Sequence, residues 1–129
     1  MTVYKYPIDV RWGEMDALGH VNNAVYLQYF EAARIAWFDS MDYVSGNPDH
    51  GPVVVQSNCS YHKPVVYPCQ LQVVTRLQQV GNSSFVLLQN LCGRSDDTLY
   101  AEAHITCVWV DRQTGRPARA SDFLRGLLD

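Results

Sequence analysis

The sequence predicts an α+β domain in which five antiparallel strands form a curved sheet around one long, buried helix. Residues 24–41 contain neither Gly nor Pro and are apolar around most of the helical circumference. Four segments with strand-like patterns follow, separated by turns rich in Pro, Gly, Asn and Asp. A helix with so little polar surface needs cover on most sides, which favours a sheet that wraps around it.

The first strand is predicted near the N-terminus, where Ile8, Val10 and Trp12 alternate with Asp9 and Arg11. Residues 13–19 have a Gly at each end and an Asp between them, a composition that favours an irregular turn. The strand therefore leads into a loop before the helix begins.

The helix is predicted to start at Asn22 and Asn23, since Asn is a favoured N-cap residue. Its polar residues gather on one side at about 3.6 residues per turn. Among them, Glu31 and Arg34 have the i, i+3 spacing of an ion pair on the helix surface.

Alternating apolar residues define the four later strands. In the first of them, Val53, Val55, Cys59 and Tyr61 are expected to share one face. The other three are marked by Leu71, Val73, Thr75 and Leu77, by Phe85, Leu87 and Leu91, and by Leu99, Ala101, Ala103, Ile105, Cys107 and Trp109. Hairpin-like separators predict antiparallel pairing, and a short apolar pattern over residues 123–128 predicts a terminal helix.

Composition indicates a single domain over residues 1–129, because 129 residues with 47% apolar content are sufficient for one core. The net charge is −3 and the basic residues are scattered, which argues against nucleic acid as a partner. The first residues resemble no signal peptide, and no apolar run reaches the length of about 18 residues that spans a membrane. We therefore expect a cytoplasmic protein without a membrane partner.

The four cysteines stand singly, without the spacing of metal ligands, and are expected to be reduced. No metal site is predicted. A domain this small has little room for a deep substrate pocket, so a site shared between subunits of an oligomer is expected.

Residues 11–26, with the sequence RWGEMDALGHVNNAVY, resemble the active-site segment of the 4-hydroxybenzoyl-CoA thioesterase family. The resemblance continues through Glu-Ala-Ala-Arg at 31–34. It includes a Tyr-x-x-Pro element from Tyr61 to Pro64. The His-Val-Asn-Asn version of the motif is similar to the branch of the family that contains bacterial acyl-CoA thioesterases.

The resemblance implies a hotdog fold and the hydrolysis of an acyl-CoA to a free acid and coenzyme A. It places Asp16 as the catalytic nucleophile or general base, and the helix N-terminus near Asn23 as the oxyanion donor. It also implies substrate-binding roles for three further residues: Gly19, Asn22 and Tyr26. His20 is a further catalytic candidate, because its imidazole could orient Asp16 or hydrogen-bond the substrate. A homodimer with strands joined edge to edge is expected here, and a homotetramer is the alternative, because pairs of dimers are common in the family.

The chemistry is compatible with a single carboxylate. The thiol released from a thioester has a pKa of about 8.5, so its thiolate leaves near neutral pH with little help from a general acid. A nucleophile or base and a fixed donor to the developing oxyanion are then sufficient, and no cofactor is expected besides the coenzyme A of the substrate.

Each site residue also has a simpler interpretation. Asp16 could stabilise its own turn, Asn22 and Asn23 could only cap the helix, and His20 could only pack. Two other functions stay open as well: a non-catalytic hotdog protein that binds acyl-CoA or an acyl carrier, and a hotdog dehydratase.

Overall fold

The computed structural model describes residues 2–41, 44, 47–120 and 122–128. It contains a five-stranded antiparallel sheet and one long helix, which confirms the predicted α+β class. The strands are β1 (Val3–Asp9), β2 (His50–Tyr61), β3 (Gln70–Val80), β4 (Ser84–Gly93) and β5 (Leu99–Asp111), and the helices are α1 (Asn23–Asp39) and α2 (Asp122–Gly126).

The order of strands across the sheet is β1-β3-β4-β5-β2. β3, β4 and β5 follow one another as hairpins, while β1 and β2 pair with β3 and β5 and form the two edges. β2 starts at His50, three residues before Val53, the first residue that marks this strand in the sequence. Residues 42–49 therefore lie in the connection from α1 to β2. Residues 42, 43, 45 and 46 of that connection lie outside the described part of the chain.

The core lies between α1 and the concave side of the sheet. Phe30 and Ala33 of α1 are fully buried, as are most inward-facing residues of β3, β4 and β5. The predicted wrapping is one-sided, since Leu27 is 40% exposed and Ile35 is 52% exposed on the outer face of the helix. Within the described residues, the sheet therefore covers only the inner face of α1.

Arg34 faces the core, and not the helix surface as predicted. Its side chain is buried and donates to Gln89 Oε1 at 3.2 Å. Gln89 Nε2 in turn donates to the Phe30 carbonyl and to Thr75 Oγ1, each at 3.0 Å. Burial lowers the pKa of Arg34 from its ordinary value. Among the ion pairs of the described residues none joins Arg34 to Glu31, so the predicted i, i+3 ion pair is wrong.

The first strand ends sooner than the alternating pattern predicts. β1 stops at Asp9, and after it the Val10 N–H donates to the Cys69 carbonyl at 3.2 Å. Trp12 begins one turn of 3-10 helix, Trp12–Glu14, and its side chain is 72% exposed. Trp12 is therefore an exposed residue of a turn and does not belong to the first strand, to which the alternating pattern assigned it.

A β-bulge in β2 overturns the prediction that Val53 and Cys59 share a face. Val54 pairs with Cys107 and Gln56 pairs with Thr106, so Val55 has no partner of its own. Such an extra residue inverts the alternation of side chains beyond it. Val54 and Cys59 therefore point to the concave side.

The C-terminal helix is present as predicted, with Leu124 buried against the core. No helix in the described ranges is both long and apolar enough to cross a membrane.

Candidate active site

The loop between the 3-10 turn and α1 is closed by hydrogen bonds between its own ends. The Asn22 N–H donates to the Glu14 carbonyl at 3.0 Å, and the Asp16 N–H donates to the His20 carbonyl at 2.9 Å. The loop turns at Gly19, whose φ of 86° lies in the left-handed region. A Cβ there would meet open space, so the backbone conformation, and not crowding, favours glycine.

The Asp16 carboxylate is half-buried and held at both oxygens. Oδ1 accepts the Leu18 N–H at 2.9 Å, and Oδ2 accepts from Asn22 Nδ2 at 3.2 Å. Two donors fix the plane of the carboxylate. The contact with the Leu18 N–H stabilises the turn, as the simpler interpretation of Asp16 predicted. The contact with Asn22 also links the carboxylate to the start of the helix.

Asn22 is the N-cap of α1. Its Oδ1 accepts the Ala24 N–H at 2.9 Å while its Nδ2 donates to Asp16, so one side chain spans helix and carboxylate. The Asn22 carbonyl accepts the Val25 N–H at 2.9 Å. Among the hydrogen bonds of the described residues, none uses the Asn23 N–H, which is at the positive end of the helix dipole.

A second segment, 61–65, lies against the helix N-terminus. The Tyr61 hydroxyl donates to the Asn23 carbonyl at 3.2 Å, and the rings of Tyr61 and Tyr26 meet edge to face with centroids 5.0 Å apart. The Tyr26 hydroxyl accepts the Val65 N–H at 3.0 Å. Burial raises the pKa of both tyrosines, which remain neutral. These contacts explain why the Tyr-x-x-Pro element accompanies the loop motif.

A cleft of about 270 Å³ opens between these two segments. It is lined by His20, Val21, Asn23, Tyr26, Tyr61, His62, Lys63 and Pro64. Neither Asp16 nor Asn22 is in the lining. The cleft combines two tyrosine rings, the side chains of two histidines and one lysine, and the residue Asn23, whose N–H is unused.

The predicted site residues are thus brought together, in different ways. The contact between His20 and Asp16 uses the His20 carbonyl; no hydrogen bond among the described residues involves the His20 imidazole. The Tyr26 hydroxyl is turned onto the 63–65 backbone, while its ring faces the cleft.

Sequence reasoning missed Glu14, to which it gave no role. The structure shows it half-buried, accepting from the Tyr29 hydroxyl and the Arg11 N–H. The i, i+3 spacing of Arg11 and Glu14 was the signal that could have indicated a capped turn. Nowhere in the described chain do three His, Cys, Asp or Glu side chains converge as metal ligands would.

The chain is similar to known proteins over nearly its whole length. A family model described as the thioesterase-like superfamily matches residues 10–128. The long-chain acyl-CoA thioesterase FadM of Escherichia coli is 32% identical over 124 residues, which cover 95% of this chain and 94% of FadM.

Solved structures give the same picture. The PA2801 protein of Pseudomonas aeruginosa superimposes with a TM-score of 0.89 at 39% identity, covering 98% of both chains. Slr0204, a 1,4-dihydroxy-2-naphthoyl-CoA thioesterase from Synechocystis, superimposes with a TM-score of 0.83 over 99% of this chain and 97% of its own. At 17% identity that second likeness shows the fold alone.

Proposed function

Because the chain belongs to the thioesterase-like superfamily, as the motif in residues 11–26 predicted, we propose that it hydrolyses an acyl-CoA to a free acid and coenzyme A. One observation carries the proposal. The Asn22 side chain ties a fixed carboxylate, Asp16, to a helix N-terminus whose first N–H, that of Asn23, is unused. The similarity to FadM supports an acyl-CoA as the substrate.

Asp16 supplies either of two reactions. As a general base it takes a proton from a water molecule whose oxygen attacks the thioester carbon; the C–S bond then breaks and coenzyme A leaves as a thiolate. As a nucleophile it forms a C–O bond to that carbon, expels the thiolate and leaves a mixed anhydride that water hydrolyses. Both routes need an ionised carboxylate held in a fixed orientation, which its two hydrogen bonds support.

In this proposal the helix N-terminus stabilises the negative charge that develops on the carbonyl oxygen of the thioester. A main-chain N–H at this position is rigid and adds the positive end of the helix dipole. The Asn23 N–H is suited to this role because it stays unused, while the Asn22 carbonyl of the same peptide group accepts the Val25 N–H at 2.9 Å. The cleft beside it, with the rings of Tyr26 and Tyr61, would receive the groups that flank the thioester.

The remaining assignments follow from position. Gly19 gives the loop its left-handed turn, and Asn22 holds Asp16, so both shape the place where the substrate lies. His20 lines the cleft and is available to bind the substrate through its ring. A second hotdog activity, dehydration, and a purely binding role are the alternatives that an assay must separate.

The activity test measures thiol release from a panel of acyl-CoAs with short to long chains. We expect saturable thiol release that depends on chain length. Saturable binding without thiol release from any of them would support the binding protein instead. Hydration of an enoyl-CoA, measured as a loss of its absorbance, would support the dehydratase.

We also propose a homodimer formed by the free edge of β2. That edge displays three consecutive valines, Val53, Val54 and Val55, exposed by 48%, 41% and 58%. Unpaired, apolar edges are sites of association, and a second copy of β2 would continue the sheet. Because Tyr61 ends the same strand, such a dimer places the partner beside the cleft. A tetramer of two such dimers stays a prediction.

Charging this edge should separate the subunits. In an antiparallel β2–β2 pair centred on these valines, the same residues of both copies lie near the two-fold axis, so Val53→Lys with Val55→Lys brings like charges together. We expect a monomer by sedimentation velocity, with thiol release reduced. Val3→Lys is the matched control, since Val3 is 46% exposed on the opposite edge, β1. A double variant that sediments like the wild type would contradict the assignment.

A further inference from the structure

A hydrogen-bonded pair of side chains, Glu14 and Tyr29, joins the Asp16 loop to the middle of α1. The Tyr29 hydroxyl donates to Glu14 Oε1 at 2.7 Å, and the Arg11 N–H donates to the same oxygen at 2.7 Å. Tyr29 is only 5% exposed, and Glu14 is half-buried. One carboxylate oxygen therefore connects the end of β1, the 3-10 turn and the helix.

Two hydrogen bonds connect Glu14 to Asp16, the proposed catalytic residue. The Glu14 carbonyl accepts the Asn22 N–H at 3.0 Å, so Glu14 and Asn22 face each other across the neck of the loop. Asn22 then holds Asp16 Oδ2 at 3.2 Å and caps α1. Movement of Glu14 would shift the backbone of Asn22, and with it the Asp16 contact.

The contact is also chemically strong. Burial, together with the neighbouring Glu14 carboxylate, raises the pKa of Tyr29 far above its ordinary value, so the phenol remains a donor at every pH of interest. A hydrogen bond from a hydroxyl to a carboxylate is about twice as strong as a hydrogen bond between two neutral groups. A contact of this kind, shielded from water on the Tyr29 side, restrains the loop more firmly than a surface pair.

We propose that Glu14 and Tyr29 are positioning residues for Asp16, and that their hydrogen bond fixes the loop at the angle to α1 that catalysis requires. The inference depends on the proposed thioesterase function only for its catalytic part. Neither residue lines the cleft beside Asn23; both face a separate groove of about 550 Å³ between β1 and α1. Their route to Asp16 is the contact between the Asn22 N–H and the Glu14 carbonyl.

Tyr29→Phe is the central variant, because it removes one hydroxyl and keeps the buried ring. Small displacements of reacting groups cost up to about 100-fold in rate. We expect kcat to fall by about 10- to 100-fold with KM changed less than about twofold, because an interaction needed only for the reacting geometry has been removed. Tyr6→Phe is the control, since Tyr6 lines the same groove and its hydroxyl has no hydrogen bond among the described residues.

Changes at Glu14 distinguish positioning from general stability. Glu14→Gln keeps an oxygen that accepts from both Tyr29 and Arg11, so it should retain most of kcat, whereas Glu14→Ala should lose as much as Tyr29→Phe. The double variant Glu14→Ala with Tyr29→Phe should be no slower than Glu14→Ala alone, because Glu14→Ala already removes the hydrogen bond that Tyr29→Phe removes. Additive losses, or equal losses in Glu14→Gln and Glu14→Ala, would overturn the proposal.

Amide hydrogen exchange provides a readout that does not depend on activity. In Tyr29→Phe, residues 14–22 should exchange faster than in the wild type, while β3–β5 exchange as before. Unchanged exchange in 14–22 would refute the positioning role even if the enzyme slows. A wild type that releases no thiol, together with loosened exchange in the variant, would remove the proposed function and leave the structural restraint intact.

Discussion

Asp16→Asn is expected to lower kcat by about 100- to 10,000-fold, the range typical for loss of a general base or an equivalent carboxylate. The substitution keeps the size of the side chain and leaves an oxygen that accepts the Leu18 N–H, now 2.9 Å from Asp16 Oδ1. It removes the charge and places an amide opposite Asn22 Nδ2, where an acceptor is needed. Substrate binding depends on the cleft, so KM should change far less than kcat.

The measurement is steady-state thiol release, with circular dichroism and sedimentation to show that fold and assembly persist. Asp39→Asn serves as the matched control, because it removes an exposed carboxylate from the opposite end of the same helix. Its kcat should equal that of the wild type. Retention of full activity by Asp16→Asn would eliminate Asp16 from both proposed reactions.

Gln89→Leu should lower the free energy of unfolding by about 3 kcal/mol, because it leaves the buried guanidinium of Arg34 without its hydrogen-bonded partner. It also frees the Phe30 carbonyl and Thr75 Oγ1, which both accept from Gln89 Nε2 at 3.0 Å. Leu has about the same volume, so a cavity contributes little. Urea unfolding followed by fluorescence measures the loss.

Two comparisons test this explanation. Gln79→Leu changes an exposed residue of β3 and should alter stability by less than about 0.5 kcal/mol. Adding Arg34→Met to Gln89→Leu should restore part of the loss, since the unpaired charge is then gone. If the double variant is less stable than Gln89→Leu alone, the buried guanidinium is not the cause.

The fold could be predicted from the sequence because its signals are local. A long segment without Gly or Pro forms α1, and alternating apolar residues with turn formers between them give β3 to β5. The errors arise where tertiary contacts override the pattern. Arg34 was placed on the polar side of the helix, yet Gln89 of β4, 55 positions away, provides a partner inside the core.

The candidate site could be predicted in part for the same reason. Asp16, Asn22 and Asn23 lie within one loop and helix start, so their proximity follows from the chain itself. Glu14 was overlooked because its partner, Tyr29, lies 15 residues further on, and neither spacing nor composition specifies that contact. Tyr61 approaches Asn23 from 38 positions away, and only the family resemblance placed it near the loop.

The bulge in β2 has a consequence for how this chain could vary in length. Val55 is the one residue of β2 without its own partner in β5, so its deletion would convert the strand to regular pairing. Gln56 and everything after it would keep its present register, and Tyr61 would still face Asn23. A one-residue shortening here is therefore neutral for the orientation of the cleft, whereas the same deletion in a strand without an extra residue turns every later side chain to the opposite face.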